Sequence, residues 1–155
     1  MAISDLLPDY TVHHAVMDKH HHTLFRLIDQ LDNAIREKNE YALIGEVLES
    51  LLSYTKMHFA AEEKLMRLAG FPGLPEHKDA HDRLVNQVQE LQRGHRKGDR
   101  AVIKQFMMKD WLVDHILGMD GRYVPYFREV FGDATKRTGF TIPDVNGRAP
   151  SVKQK

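Results

Sequence analysis

Apolar residues recur at intervals of three and four along four stretches of this chain, and no stretch alternates with period two. Leu24, Ile28, Leu31 and Ile35 mark the first stretch, from about Asp18 to Lys38. The second, about Glu40 to Ala69, carries Ile44, Leu48, Leu51, Thr55, His58, Glu62 and Leu65. The third, about Leu74 to Arg93, carries Leu74, His77, His81, Leu84, Val88 and Leu91, and the fourth, about Asp99 to Phe131, carries Met108, Leu112, His115 and Met119. Such spacing keeps side chains on one face of a helix. Asp18 is suited to cap the first helix, and Gly70, Phe71 and Pro72 are suited to stop the second. Further breaks stand at Gly94, Gly98 and Gly132. The pattern predicts an all-α fold, an up-down-up-down four-helix bundle over residues 18–131. Residues 1–17 are expected to form an N-terminal arm with apolar patches at Leu6–Leu7 and Val12. Residues 132–155 are expected to form a polar, irregular C-terminal extension.

Each stripe is interrupted by polar residues of one chemical kind: His21, His58, Glu62, His77, His81, His115 and Asp120. His58/Glu62 and His77/His81 are four apart, so each pair shares a helix face one turn apart. Burying imidazoles and carboxylates costs free energy unless each finds a partner, and a metal ion is such a partner. A lone histidine on an apolar face is ordinarily a satisfied core or surface residue. Five of them on inward stripes of four helices, with two carboxylates, read as metal ligands.

Ligand type narrows the metal. Structural zinc takes four ligands and commonly uses thiolates, but the chain has no cysteine. Calcium and magnesium want mostly oxygen. A mixed set of imidazoles and carboxylates, too large for one ion, fits two iron ions sharing bridging carboxylates, and therefore dioxygen chemistry. The other common two-iron bundle uses Glu-x-x-His, which occurs nowhere in this chain. A histidine-rich site carries less negative charge to stabilise high-valent iron, which favours reversible oxygen binding over oxidation.

Composition removes several classes of function. At 155 residues, 42% hydrophobic and 28% charged, the chain has the profile of one globular domain. Lys plus Arg (22) balance Asp plus Glu (22), so no net field recruits nucleic acid or an anionic membrane. No apolar run approaches the ~20 residues of a membrane span, and Met1–Tyr10 lacks the marks of a signal peptide. The absence of cysteine excludes disulfides, iron–sulfur clusters and thiol catalysis. The expected compartment is the cytoplasm.

The segments Asp18-Lys-His-His-His-Thr-Leu-Phe25, His58-Phe-Ala-Ala-Glu-Glu-Lys-Leu-Met66, His77-Lys-Asp-Ala-His81 and Trp111-Leu-Val-Asp-His-Ile-Leu-Gly-Met-Asp120 together resemble hemerythrin, specifically the bacterial hemerythrins, over about Tyr10 to Phe131. In that family the first ligand stands four residues before the Phe of a His-x-x-Leu-Phe run, which selects His21 rather than His20 or His22. The resemblance implies that His77, His81 and His115 hold one iron and that His21 and His58 hold the other. Glu62 and Asp120 would bridge them together with an oxo or hydroxo group, leaving an open position for dioxygen on the second iron. It also implies that Leu112 and Trp111 line the oxygen pocket and that the Tyr123 hydroxyl supports the bridging carboxylates.

His115 and Asp120 are five residues apart, which separates them by roughly 140° on a regular helix. Asp120 must therefore reach sideways, or the helix must widen into a π-bulge eased by Gly118. Phe25, Phe59 and Met66 are read as core, and His13, His14, His20, His22 and His95 as solvent-facing. The function expected is non-enzymatic: reversible dioxygen binding for storage, delivery or sensing, with an oxygen-consuming enzyme as recipient. The rivals are a two-iron enzyme that reduces peroxide or nitric oxide, and an iron reservoir.

Overall fold

The computed structural model describes residues 11–37, 41–98 and 108–132, with the side chains of 108–111 outside the description. All regular structure among them is helical: α1 (Ala15–Arg36), α2 (Tyr41–Leu68), α3 (Leu74–Arg96), α4 (Met108–Gly118), a 3₁₀ turn (Asp120–Tyr123) and α5 (Val124–Phe131). The expected patches at Leu6–Leu7 and the extension beyond Gly132 lie outside the described residues.

Cross-helix pairs fix the directions. Along α2 and α3, Tyr41 meets His95, Glu49 meets Gln92 and Glu62 meets His77. Numbers rise on one helix as they fall on the other, so the two run antiparallel. His77 meets Asp120 while His81 meets His115, and His14 meets Phe127 while His21 meets Asp120, which sets the fourth limb antiparallel to both α3 and α1. The result is an up-down-up-down four-helix bundle. Leu24, Phe25, Ile28 and Leu31 of α1 close its core with Leu48 and Leu51 of α2, Val88 and Leu91 of α3, and Leu112 and Ile116 of α4.

The first helix begins at Ala15, three residues before the expected start, and Asp18 is not its cap. The His14 ring fills that place, its Nδ1 accepting the Met17 amide at 3.3 Å. Asp18 instead ties down the preceding segment, accepting the Val12 amide at 2.8 Å and the Thr11 hydroxyl at 2.7 Å. Val12 is thereby held in the core at 2% exposure.

The stop after α2 matches its sequence signal. Gly70 adopts φ +67°, Phe71 N–H donates to Met66 C=O and Gly70 N–H to Arg67 C=O, a left-handed C-cap that places Phe71 against the last turn. A Cβ at Gly73 would stand 2.7 Å from the tip of the Phe71 ring, so any larger residue there would oblige the ring to move. Helix α3 runs through Gly94 to Arg96, past the end expected near Arg93.

The fourth limb departs most from expectation. It neither stays regular nor widens into a π-bulge. Helix α4 ends at Gly118, Met119 bends the chain at φ −111° and ψ −51°, and a tighter 3₁₀ turn follows. Pro125 has no N–H for the Gly121 carbonyl that an α-helix would offer it. Val124 N–H bonds that carbonyl one residue early, as 3₁₀ winding requires. The break, rather than a widened turn, brings Asp120 inward.

Candidate metal centre

Every residue singled out as a ligand arrives at one buried place near the end of the bundle where α2 turns into α3. His21 comes from α1, His58 and Glu62 from α2, His77 and His81 from α3, His115 from α4 and Asp120 from the 3₁₀ turn. None is more than 6% exposed. Their donor atoms fall into two groups that share Glu62: one with His77, His81, His115 and Asp120, the other with His21 and His58.

The two carboxylates divide their oxygens between the groups. Glu62 Oε1 lies 3.0 Å from Nε2 of both His77 and His81, while its Oε2 faces Nε2 of His58 at 3.5 Å and of His21 at 3.6 Å. Asp120 Oδ1 lies 2.9 Å from His77 Nε2 and 3.0 Å from His115 Nε2, while its Oδ2 lies 3.2 Å from His21 Nε2. All five imidazoles present Nε2.

These contacts are short, yet several are not hydrogen bonds. Both Asp120 oxygens and both His21 nitrogens are buried without a hydrogen-bond partner. His81 Nε2 stands 3.1 Å from His115 Nε2, close enough that one of the two must carry a proton or both lone pairs must share a cation. Atoms that crowd together without hydrogen-bonding angles are converging on a common point. Donors about 2.1 Å from one ion stand about 3.0 Å apart at neighbouring octahedral corners and about 3.4 Å apart at tetrahedral ones. The separations of 2.9 to 3.1 Å in the larger group are octahedral in scale, and five donors already exceed a tetrahedron. The residues fit a pair of bridged metal ions.

The electrostatics show the same demand for positive charge. Burial opposes the charged form of His21 and of His77, but contact with Asp120 and Glu62 outweighs it and raises each pKa to about 9. His58, which burial dominates, is lowered to about 3 and stays neutral. Burial also works against ionised Glu62 and Asp120, yet the surrounding imidazoles hold both carboxyls below their ordinary range. Two anions at the centre of an apolar bundle are kept ionised by whatever cations the site admits.

Around this centre stand residues that position it. The Tyr123 hydroxyl donates to Glu62 Oε2 at 2.9 Å, and Tyr123 is itself fully buried. Burial and the neighbouring Glu62 and Asp120 carboxylates push its phenol well above the usual tyrosine range, so it remains a donor. Phe59, read as core, is buried at 3% and lies face to face on the His81 ring at 3.7 Å. Phe25 and Met66 are fully buried core, as expected. Leu112 is also fully buried, one turn before His115 on α4, and the Trp111 side chain lies outside the described residues.

Two positioning contacts were not foreseen from sequence. Glu63 Oε1 accepts from His81 Nδ1 at 2.9 Å, and His20 Nδ1 lies 3.1 Å from His58 Nδ1. A ligating imidazole ordinarily gives its second N–H to an acceptor, and that rule was the available signal. Each newcomer adjoins a candidate ligand in sequence, about 100° round the helix. His20 is therefore not a free surface residue, and neither are two others expected to be. His95 is only 6% exposed and bonds the Tyr41 carbonyl at 2.9 Å, and His14 packs edge-on against Phe127 and Phe131. His22 is exposed.

The chain is similar in sequence and fold to known proteins. Residues 12–127 match the family model of the hemerythrin HHE cation binding domain. A bacteriohemerythrin of Methylococcus capsulatus is 34% identical over 110 residues, covering 70% of this chain and 83% of the relative. One from Pseudomonas aeruginosa is 34% identical over 125 residues, covering 78% of this chain and 79% of the relative. The crystal structure of wild-type hemerythrin superposes with a TM-score of 0.65 at 31% identity, covering 74% of this chain and 88% of that one. With the described helices, the turn at Gly70 and the buried cluster of histidines and carboxylates within or overlapping the matched span, this chain belongs to the hemerythrin HHE cation-binding family.

Proposed function

We propose that this chain binds dioxygen reversibly at a di-iron centre. His77, His81 and His115 would hold one iron, His21 and His58 the other, with Glu62 and Asp120 bridging them. The observation that carries this reading is the division of carboxylate oxygens. In both Glu62 and Asp120, one oxygen faces the three-histidine group and the other faces the two-histidine group. The groups differ by one histidine, so the smaller one keeps a position for an exogenous ligand.

Bound as a ferrous pair, the irons would supply two electrons and the coordination position that dioxygen requires. The chain's own residues do the rest. The imidazoles are neutral donors and the two carboxylates set a low anionic charge, which favours binding over oxidation of a substrate. Tyr123 holds Glu62 through its hydroxyl and keeps that oxygen from turning away from the smaller group. Leu112 is fully buried one turn before His115, and we assign it the role of an oxygen-pocket wall that excludes water from the smaller half. Storage, delivery to an oxygen-consuming enzyme and sensing would all use the same reversible step.

The test is spectroscopic. Protein loaded anaerobically with ferrous iron is exposed to oxygen and then returned to an oxygen-free atmosphere. Reversible binding predicts a charge-transfer band that appears and then disappears over repeated cycles. A band that decays to a ferric product each time, or sustained consumption of peroxide or nitric oxide, would instead support the enzymatic reading.

A further inference from the structure

The two candidate metal positions differ in what backs their histidines. His81, a donor of the three-histidine group, has Nδ1 against Glu63 Oε1 at 2.9 Å. A carboxylate only accepts, so His81 carries its proton on Nδ1 and presents a bare Nε2 to Glu62. His58, a donor of the two-histidine group, has Nδ1 against His20 Nδ1 at 3.1 Å. Only one of those nitrogens can donate. If His58 donates, its Nε2 lone pair faces Glu62 Oε2, 3.5 Å away, and is free for a metal. The opposite tautomer would spend Nε2 on a proton. His20 is held ready by an edge contact with Tyr54 at 5.8 Å. If His58 donates, the His20 nitrogen facing it must offer a lone pair, so the backing there is a neutral imidazole.

We propose that Glu63 and His20 are positioning residues of the metal centre, one for each half, and that the anionic backing of His81 against the neutral backing of His58 makes the three-histidine half load first and hold its ion more tightly. The inference rests on the two-metal reading above. A carboxylate behind an imidazole raises its basicity toward a cation, and a neutral imidazole does so less. With both carboxylates shared, the larger group also has three histidines to the smaller group's two. Both factors act in one direction, so the two ions bind in sequence rather than as an equal pair. The half that would carry the exogenous ligand is the one bound less tightly.

Cobalt(II) is a suitable probe, since its visible bands report coordination without iron's reactivity toward air. The full chain titrated with cobalt should take up two ions in two resolvable steps. Glu63→Gln keeps an acceptor for His81 Nδ1 and removes only the charge, so it should weaken the first step while leaving the second. His20→Ala should weaken the second step roughly 10-fold, the low end of the 10–100-fold range for such partners, because His20 is partly exposed and water can replace it. His20→Gln, which restores an acceptor, should recover the second step, and the exposed His22→Ala should change neither. Melting curves of the metal-free variants matching the parent would confirm that each variant folds. If the parent takes up two cobalt ions but Glu63→Gln and His20→Ala leave both steps unmoved, or shift both equally, the assignment of these residues is overturned and the two-metal reading stands. If the parent takes up fewer than two ions, the two-metal reading falls and this inference falls with it.

Discussion

The Tyr123 hydroxyl and Glu62 Oε2, 61 residues apart in sequence, are joined by a 2.9 Å hydrogen bond in the core of the bundle. Through it the 3₁₀ turn of the fourth limb grips the carboxylate that both donor groups share. Tyr123→Phe keeps the ring stacked on Phe127 and removes only the hydroxyl. The loss of a buried, charge-assisted hydrogen bond should lower stability by about 1.5–3 kcal/mol, measured by denaturant unfolding of the metal-free protein. Iron content should stay at the parent's value, because the hydroxyl orients Glu62 without being a ligand. Loss of one iron would mean that the tyrosine contributes directly to the site.

Because Glu62 and Asp120 each face both donor groups, neither would belong to one ion in the proposed centre. Glu62→Ala or Asp120→Ala should therefore lose both irons together, as metal analysis after anaerobic loading would show. His77→Ala and His81→Ala remove donors from the larger group alone. They should prevent stable assembly by stripping the tighter half. A variant of Glu62 that retained one iron at full occupancy would contradict the sharing of its oxygens.

Removing the metal should also weaken the fold. An ion that binds only the folded bundle stabilises it by linkage, about 4 kcal/mol when free metal exceeds its dissociation constant a thousandfold. Metal-free protein additionally buries Asp120 and His21 atoms without hydrogen-bond partners, each a cost of roughly 1–3 kcal/mol. Calorimetric scans with and without ferrous iron, under anaerobic conditions, should show a clearly lower melting temperature for the metal-free form. Coincident scans would mean that the centre adds little to the fold.

Most of the fold was legible because one periodicity encodes both the core and the site. His58 and Glu62 continue the stripe of Ile44, Leu48 and Leu51, and His77 and His81 begin the stripe that ends in Val88 and Leu91. A rule that finds the core therefore finds these residues. His95 lies four beyond Leu91 on that same stripe, and was missed because Gly94 reads as a helix end. Within a packed bundle the backbone passes through that glycine, since contact with α2 outweighs its poor helix propensity. The fourth limb was misjudged for a different reason. The five-residue spacing of His115 and Asp120 already called for a distortion, but not for its kind; Pro125, which cannot complete the bond to Gly121, was the cue that the chain tightens rather than widens. Glu63 and His20 could not be found by stripe at all. They sit beside the inward face and reach their partners across a helix seam, a relation that depends on how the helices pack.

The pocket wall offers the most direct test of function. Leu112 is fully buried in the hydrophobic core, one turn before His115. In the proposed centre its bulk would keep water from the half with the open position, where water would supply protons and displace the oxygen ligand. Leu112→Ala should leave two irons per chain and still take up oxygen, but the oxygenated form should convert to the inert diferric state faster than in the parent. Truncating a core leucine also costs about 2–5 kcal/mol, so faster decay could arise from a loosened bundle. Leu51→Ala provides the control, a fully buried leucine on α2 two turns away from His58. A general packing defect would speed decay in both variants, whereas an opened pocket would do so only in Leu112→Ala. Stopped-flow mixing of the reduced proteins with oxygen, followed at the charge-transfer band, separates the two. If Leu112→Ala oxygenates and decays at the parent's rates, Leu112 serves packing alone and the oxygen pocket lies elsewhere.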